Sequence, residues 1–138
     1  MLDNINSVVK PNDVLWHLGD FCFGEYYKAR EMRDKILCQN VYLIFGNHDK
    51  DEIGNLFADC FQQILISVNY QYLFLNHYPM KNWDKKHKGS WNLYGHVHSK
   101  NEFLSNDKQL DVGVDGHNFK PWTIKQIQDW MTYNFKSN

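Results

Sequence analysis

VYLIFGNHD, residues 41–49, is an unbroken β-branched and aromatic run that stops at Gly46 and three polar side chains. Bounded by Asn40 and Gly46, it has the pattern of a buried strand. The construction recurs along the chain. DVLWHLGD (13–20) is a short apolar run closed by Gly19 and Asp20, YLFLNH (72–77) ends in His77, and WNLYGHVH (91–98) ends in His96 and His98. Four apolar runs, each tipped with Asp, Asn or His, describe strands with polar chemistry at their carboxyl ends. Open α/β sheets collect their functional groups there.

Helical spacing fills the intervals. Leu2, Ile5, Val8 and Val9 recur at helical spacing until Pro11. Tyr26, Ala29, Met32, Arg33 and Ile36–Leu37 predict a helix from about Glu25 to Cys38. A short helix is expected over 52–58. FQQILISV (61–68) and YQYLFL (70–75), pivoting at Asn69, read as a hairpin or two adjacent strands. PMKNWDKKHKGS (79–90) is a loop, and 91–94 and 109–114 are strands. Thr123 caps a last helix with Ile124, Ile127 and Met131 on one face. The first half predicts parallel βα units and the second a mixed or antiparallel sheet, in a single domain over 1–138.

The totals narrow the function classes. A chain of 138 residues with 43% hydrophobic and 16% aromatic side chains can form one packed core, which argues against disorder. The formal net charge is −1, and the densest basic stretch, KNWDKKHK (81–88), is interrupted by Asp84. Nucleic acid is therefore not indicated as a partner, while a phosphorylated substrate stays open. Cys22, Cys38 and Cys60 form no C-x-x-C pair, so no disulfide framework is expected and a reducing, cytoplasmic setting is. MLDNINSVVK lacks a signal peptide's apolar core, and no apolar run approaches about 18 residues, so no membrane partner is expected. The seven histidines stand out. Histidine is costly in apolar surroundings unless bonded or ligated, yet His17, His48, His77, His96 and His98 all fall at or just after strand-like runs.

LGD, GNHD, NHYP and GHVH, in that order, resemble the calcineurin-like metallophosphoesterase family in its small phage and bacterial form. The resemblance covers nearly the whole chain, from NSVVKPNDVLWHLGDFCFG through DVGVDGHNFKPW. It implies an α/β fold, a four-layer α/β/β/α sandwich with mixed sheets and two divalent metals at its mouth. It implies that Asp20 bridges the metals, that Asn47, His77 and His96 complete the second site, and that His98 lies on the first. Side chains alternate along a strand, so residues 96 and 98 can point the same way. Mixed nitrogen and oxygen donors suit Mn²⁺, Fe or Zn²⁺ better than Mg²⁺ or Ca²⁺. The resemblance gives His48 a catalytic place beside the metals, contacting the phosphate or donating a proton to the leaving oxygen, with Asp49 holding its ring. A hydroxide shared by the metals would attack a phosphorylated small-molecule or nucleotide-like substrate, as a monoester or a diester.

The chain departs from the family's pattern at its start. The family opens with a strand ending in D-x-H, which gives two ligands to the first metal. Here Asp3 is followed by Asn4-Ile5, and His17 lies inside a strand, where a core role fits better than ligation. The expectation is a domain without that strand. It could belong to a longer protein, be completed by strand addition from a second chain, or be a relative holding one metal or none. The last case makes a non-catalytic binding module the rival to an enzyme. Taken singly, Asp20 also fits a turn carboxylate, Asn47 a left-handed turn residue and His77 a hydrogen-bonded strand end.

Overall fold

A computed structural model describes residues 2–95, 107–114 and 117–135. Helix α1 (Leu2–Val8) leads to strand β1 (Val14–His17), helix α2 (Tyr26–Lys35) and strand β2 (Asn40–Ile44). A 3-10 turn at Asp51–Leu56 precedes β3 (Asp59–Phe61), β4 (Gln63–Val68) and β5 (Gln71–Asn76). Strands β6 (Trp91–Tyr94) and β7 (Gln109–Asp111) and helix α3 (Ile124–Asn134) complete the order. Two sheets result. One is parallel, in the order β1-β2-β3, and the other runs β4-β5-β6-β7 with only the β4–β5 pair antiparallel. This is the expected α/β sandwich with one parallel and one mixed sheet.

Alternation along β2 explains how the layers bind. Val41 and Leu43 face a cluster with Ile5 and Val9 at α1, Ala29 of α2, and Ile36 and Cys38 beyond it. Ile44 points the other way, into a second cluster with Leu73, Leu75, Leu93 and Leu110 of the mixed sheet and Ile127 and Met131 of α3. Leu43 and Ile44 are fully buried, and each such side chain contributes about 2 kcal/mol. Helix α3 starts where Thr123 predicts, in a full capping box with Gln126.

Three details differ from the sequence reading. Helix α2 ends at Lys35 rather than near Cys38, because Ile36 turns extended to bury its side chain, and Arg33 ties the turn by donating to the Leu56, Ile36 and Gln39 carbonyls. The run 61–68 is split between the sheets. Phe61 ends β3 beside Ile44, and the chain crosses at Gln62 to begin β4. The helix expected over 52–58 is the tighter 3-10 turn, in which Gly54 sits against Cys60 so closely that a Cβ would lie 2.8 Å from its sulfur. Asn69 and Tyr70, both at positive φ, make the two-residue turn between β4 and β5. The three cysteines are free, and among the described residues no helix is long and apolar enough to cross a membrane.

Candidate functional site

The carboxyl ends of β1, β2 and β5 converge, so loops from both sheets meet. Gly19 has φ +108° and Asp20 φ +55°, a left-handed turn that Asp tolerates better than most residues. The turn is tight against its neighbours. A Cβ on Gly19 would strike the His77 ring and come within 2.8 Å of Gly46, and one on Gly46 would strike the Asp20 carboxylate. The two glycines of LGD and FGN are therefore the contact surface between the β1 and β2 loops.

Asp49 locks that contact. Its Oδ2 accepts the backbone N–H groups of Asp20 at 2.7 Å and Gly46 at 2.8 Å, and its Oδ1 accepts that of Phe21 at 2.8 Å. The carboxylate that the resemblance assigns to the His48 ring thus has both oxygens on backbone donors, and these bonds do not test that role. His48 instead donates its own N–H to Asp20 Oδ1 at 2.9 Å, and its ring lies 4.9 Å from that of Phe23. His48 is exposed at the mouth.

His77, 1% exposed, occupies the centre. Its Nδ1 lies 2.7 Å from the Leu18 carbonyl, which can only accept, so Nδ1 carries the proton. Nε2 then turns its lone pair toward Asn47 Oδ1 at 3.1 Å and Asp20 Oδ2 at 3.3 Å. Three electron-pair donors facing one another repel unless a proton or a cation lies between them. One imidazole, one carboxylate and one amide oxygen form a mixed donor set that fits a divalent transition ion. Among the described residues no cluster of three or more His, Cys, Asp or Glu is gathered for a metal, and Asn47 is the third donor here.

His17 is not part of this group. Its Nδ1 accepts the Gly19 N–H at 3.2 Å, and its ring stands edge-on to Phe21. Burial lowers its pKa below 6.5, and His77 adds to the shift while Asp49 and Asp20 oppose it. His96 and His98 lie outside the described residues. Gly95, the residue before them, donates its N–H to the His77 carbonyl at 3.2 Å. The structure brings Asp20, Asn47 and His77 of the expected set together, and adds the Leu18 carbonyl and the Gly19–Gly46 contact, which sequence reasoning missed. The glycines preceding Asp20 and Asn47 were the available signal for the contact between the loops.

The fold has a solved counterpart. A crystal structure of AQ665, a protein of unknown function from Aquifex aeolicus, superposes with a TM-score of 0.75 at 23% identity, covering 94% of this chain and 82% of that one. No curated protein matches the chain. The profile of the calcineurin-like phosphoesterases matches residues 1–134, almost the entire sequence. That match joins the ordered LGD, GNHD, NHYP and GHVH motifs and the sandwich with its donors at the strand ends: the chain belongs to the calcineurin-like phosphoesterase family, whose members bind divalent metals.

Proposed function

We propose that this chain hydrolyses a phosphoester with the help of divalent cations held at the meeting point of its two sheets. The observation that carries the reading is the triple convergence on His77 Nε2, where Asn47 Oδ1 and Asp20 Oδ2 stand 3.1 and 3.3 Å away. His77, Asn47 and Asp20 would hold one cation, with His96 added by its motif, and Asp20 and His98 would serve a second. Mn²⁺, Fe or Zn²⁺ suits these donors. Bound cations would supply Lewis acidity to the phosphoryl group and bring water into nucleophilic form near neutral pH.

The chain's own residues divide the remaining work. The Leu18 carbonyl fixes the His77 tautomer, so Nε2 faces the site. Asp49, through the backbone of Asp20, Phe21 and Gly46, positions the two loops that carry the oxygen donors. His48, exposed beside them, would give a proton to the leaving oxygen. A phosphorylated small molecule or nucleotide-like ester is the substrate class, as a monoester or a diester.

The test is turnover of a phosphoester by the Mn²⁺-loaded chain, with His48→Ala alongside. General acid catalysis contributes about 10²–10⁴-fold, so the variant should lose at least a hundredfold in kcat while retaining its metal. Unchanged turnover in His48→Ala would remove His48 from the chemistry. Absence of any hydrolysis by the loaded wild-type chain across mono- and diesters would overturn the enzymatic reading.

A further inference from the structure

Phe23 has an exposure that neither the core nor the proposed chemistry explains. Its ring is 69% exposed, whereas Phe21, two residues earlier, is 6% exposed and packs edge-on against Phe57 at 5.0 Å. The segment between them is held. Asp49 fixes the backbone at Asp20 and Phe21, and Cys22 Sγ accepts the Gly24 N–H at 3.4 Å. One phenylalanine is thus anchored in the core, and the next is held out at the mouth of the site. The Phe23 ring lies 4.9 Å from that of His48, with the planes at 53°. A second exposed ring, Tyr78 at 40%, stands edge-on to His77 at 4.9 Å. An exposed ring held beside a polar centre offers apolar surface that a ligand can cover.

We infer that Phe23 is a stacking platform for a planar aromatic group on the leaving side of the substrate, so that this site takes aryl or nucleoside phosphoesters. The inference rests on the phosphoester reading and on the place given there to His48. If His48 faces the leaving oxygen, the group attached to that oxygen extends past His48, whose ring lies 4.9 Å from that of Phe23. Stacking suits that surface because a ring needs only a facing π-system and no hydrogen-bond register. Phe23 is therefore a specificity-determining residue that favours any flat leaving group over an alkyl one.

The experiment measures binding of non-hydrolysable anions to the Mn²⁺-loaded chain by titration calorimetry. The ligands are methylphosphonate, phenylphosphonate and an adenosine 5′-phosphonate, titrated into wild type, Phe23→Ala, Phe23→Leu and Phe23→Trp. Aromatic stacking predicts that the two flat ligands bind about tenfold tighter than methylphosphonate to wild type and Phe23→Trp. The advantage should fall to near unity in Phe23→Ala and stay below about threefold in Phe23→Leu, which keeps apolar area without a π-face. A stronger adenosine than phenyl response identifies a nucleoside source, and equal responses identify a simple aryl one. If methylphosphonate binds but phenylphosphonate binds no better, or if Phe23→Ala retains the preference, the platform is overturned while the phosphoester reading stands. If no phosphonate binds the loaded chain, the phosphoester reading fails and the platform with it.

Discussion

Asp49 and His48 are neighbours with opposite kinds of work. The Asp49 carboxylate accepts three backbone N–H groups from two loops, at 2.7–2.8 Å. Removing it would leave three partly buried donors without a partner, and hydrogen bonds to a charged group contribute about 1.5–3 kcal/mol each. Water can reach part of this site, so Asp49→Ala should cost about 3 kcal/mol in urea unfolding, not the full sum. His48→Ala, at an exposed position, should stay within about 0.5 kcal/mol of wild type. An Asp49→Ala protein less than 1 kcal/mol below wild type would sink this assignment. The contrast also shows what was legible in the sequence. Asp20, Asn47 and His77 could be located because each ends an apolar run, and strand ends place polar tips together. The partners of Asp49 could not, because a carboxylate that binds backbone donors leaves no mark in the identity of the residues it binds.

Strand β1 ends in a histidine whose environment makes stability depend on pH. His17 Nδ1 accepts the Gly19 N–H, so the folded chain needs that nitrogen unprotonated. Burial, as the leading cause, holds its pKa below 6.5 in the fold. The unfolded chain therefore takes up a proton first as the pH drops, and the unfolded state gains. The contribution of His17 to stability is intact above pH 6.5 and is lost as the pH falls through the lowered folded value. His17→Gln keeps a side-chain acceptor and removes the titration. Its unfolding free energy should fall less steeply than that of wild type between about pH 7 and 5. Parallel curves for the two proteins would refute this account. At this scale sequence periodicity located most elements, including α1, α2 and α3. It failed where tertiary demands won: Ile36 leaves helical geometry to reach the core, and the apolar run at 61–68 changes sheets at Gln62. A run of β-branched and aromatic residues specifies extended chain, but not the sheet in which it pairs.

The two sheets meet through an apolar cluster around Ile44 and Leu75 and, at one end, through the polar group of Asp20, Asn47 and His77. Asp20 and Asn47 follow strands of the parallel sheet, and His77 follows a strand of the mixed one. A cation bound by all three would therefore link the sheets, and its binding free energy would add to their cohesion. At a hundredfold excess over its dissociation constant, such a ligand stabilises the fold by about 2.7 kcal/mol. For a chain of this length that corresponds to a rise of about 8 °C in Tm. Mn²⁺ should produce a rise of this order, and a chelator should reverse it. Asp20→Asn tells a cation seated among these three donors from one bound at another part of the surface. Asn tolerates the left-handed backbone at φ +55° and can keep an oxygen toward the His48 N–H. Its amide nitrogen would then face His77 Nε2 and donate to it, relieving the repulsion among the three donors with a hydrogen bond. The metal-free variant should thus melt at or slightly above metal-free wild type, yet gain almost nothing from Mn²⁺. If the variant shows the wild-type rise with Mn²⁺, the cation lies elsewhere. If wild type shows no rise at millimolar Mn²⁺, the convergence on His77 does not seat this cation, and the metal centre is wrong.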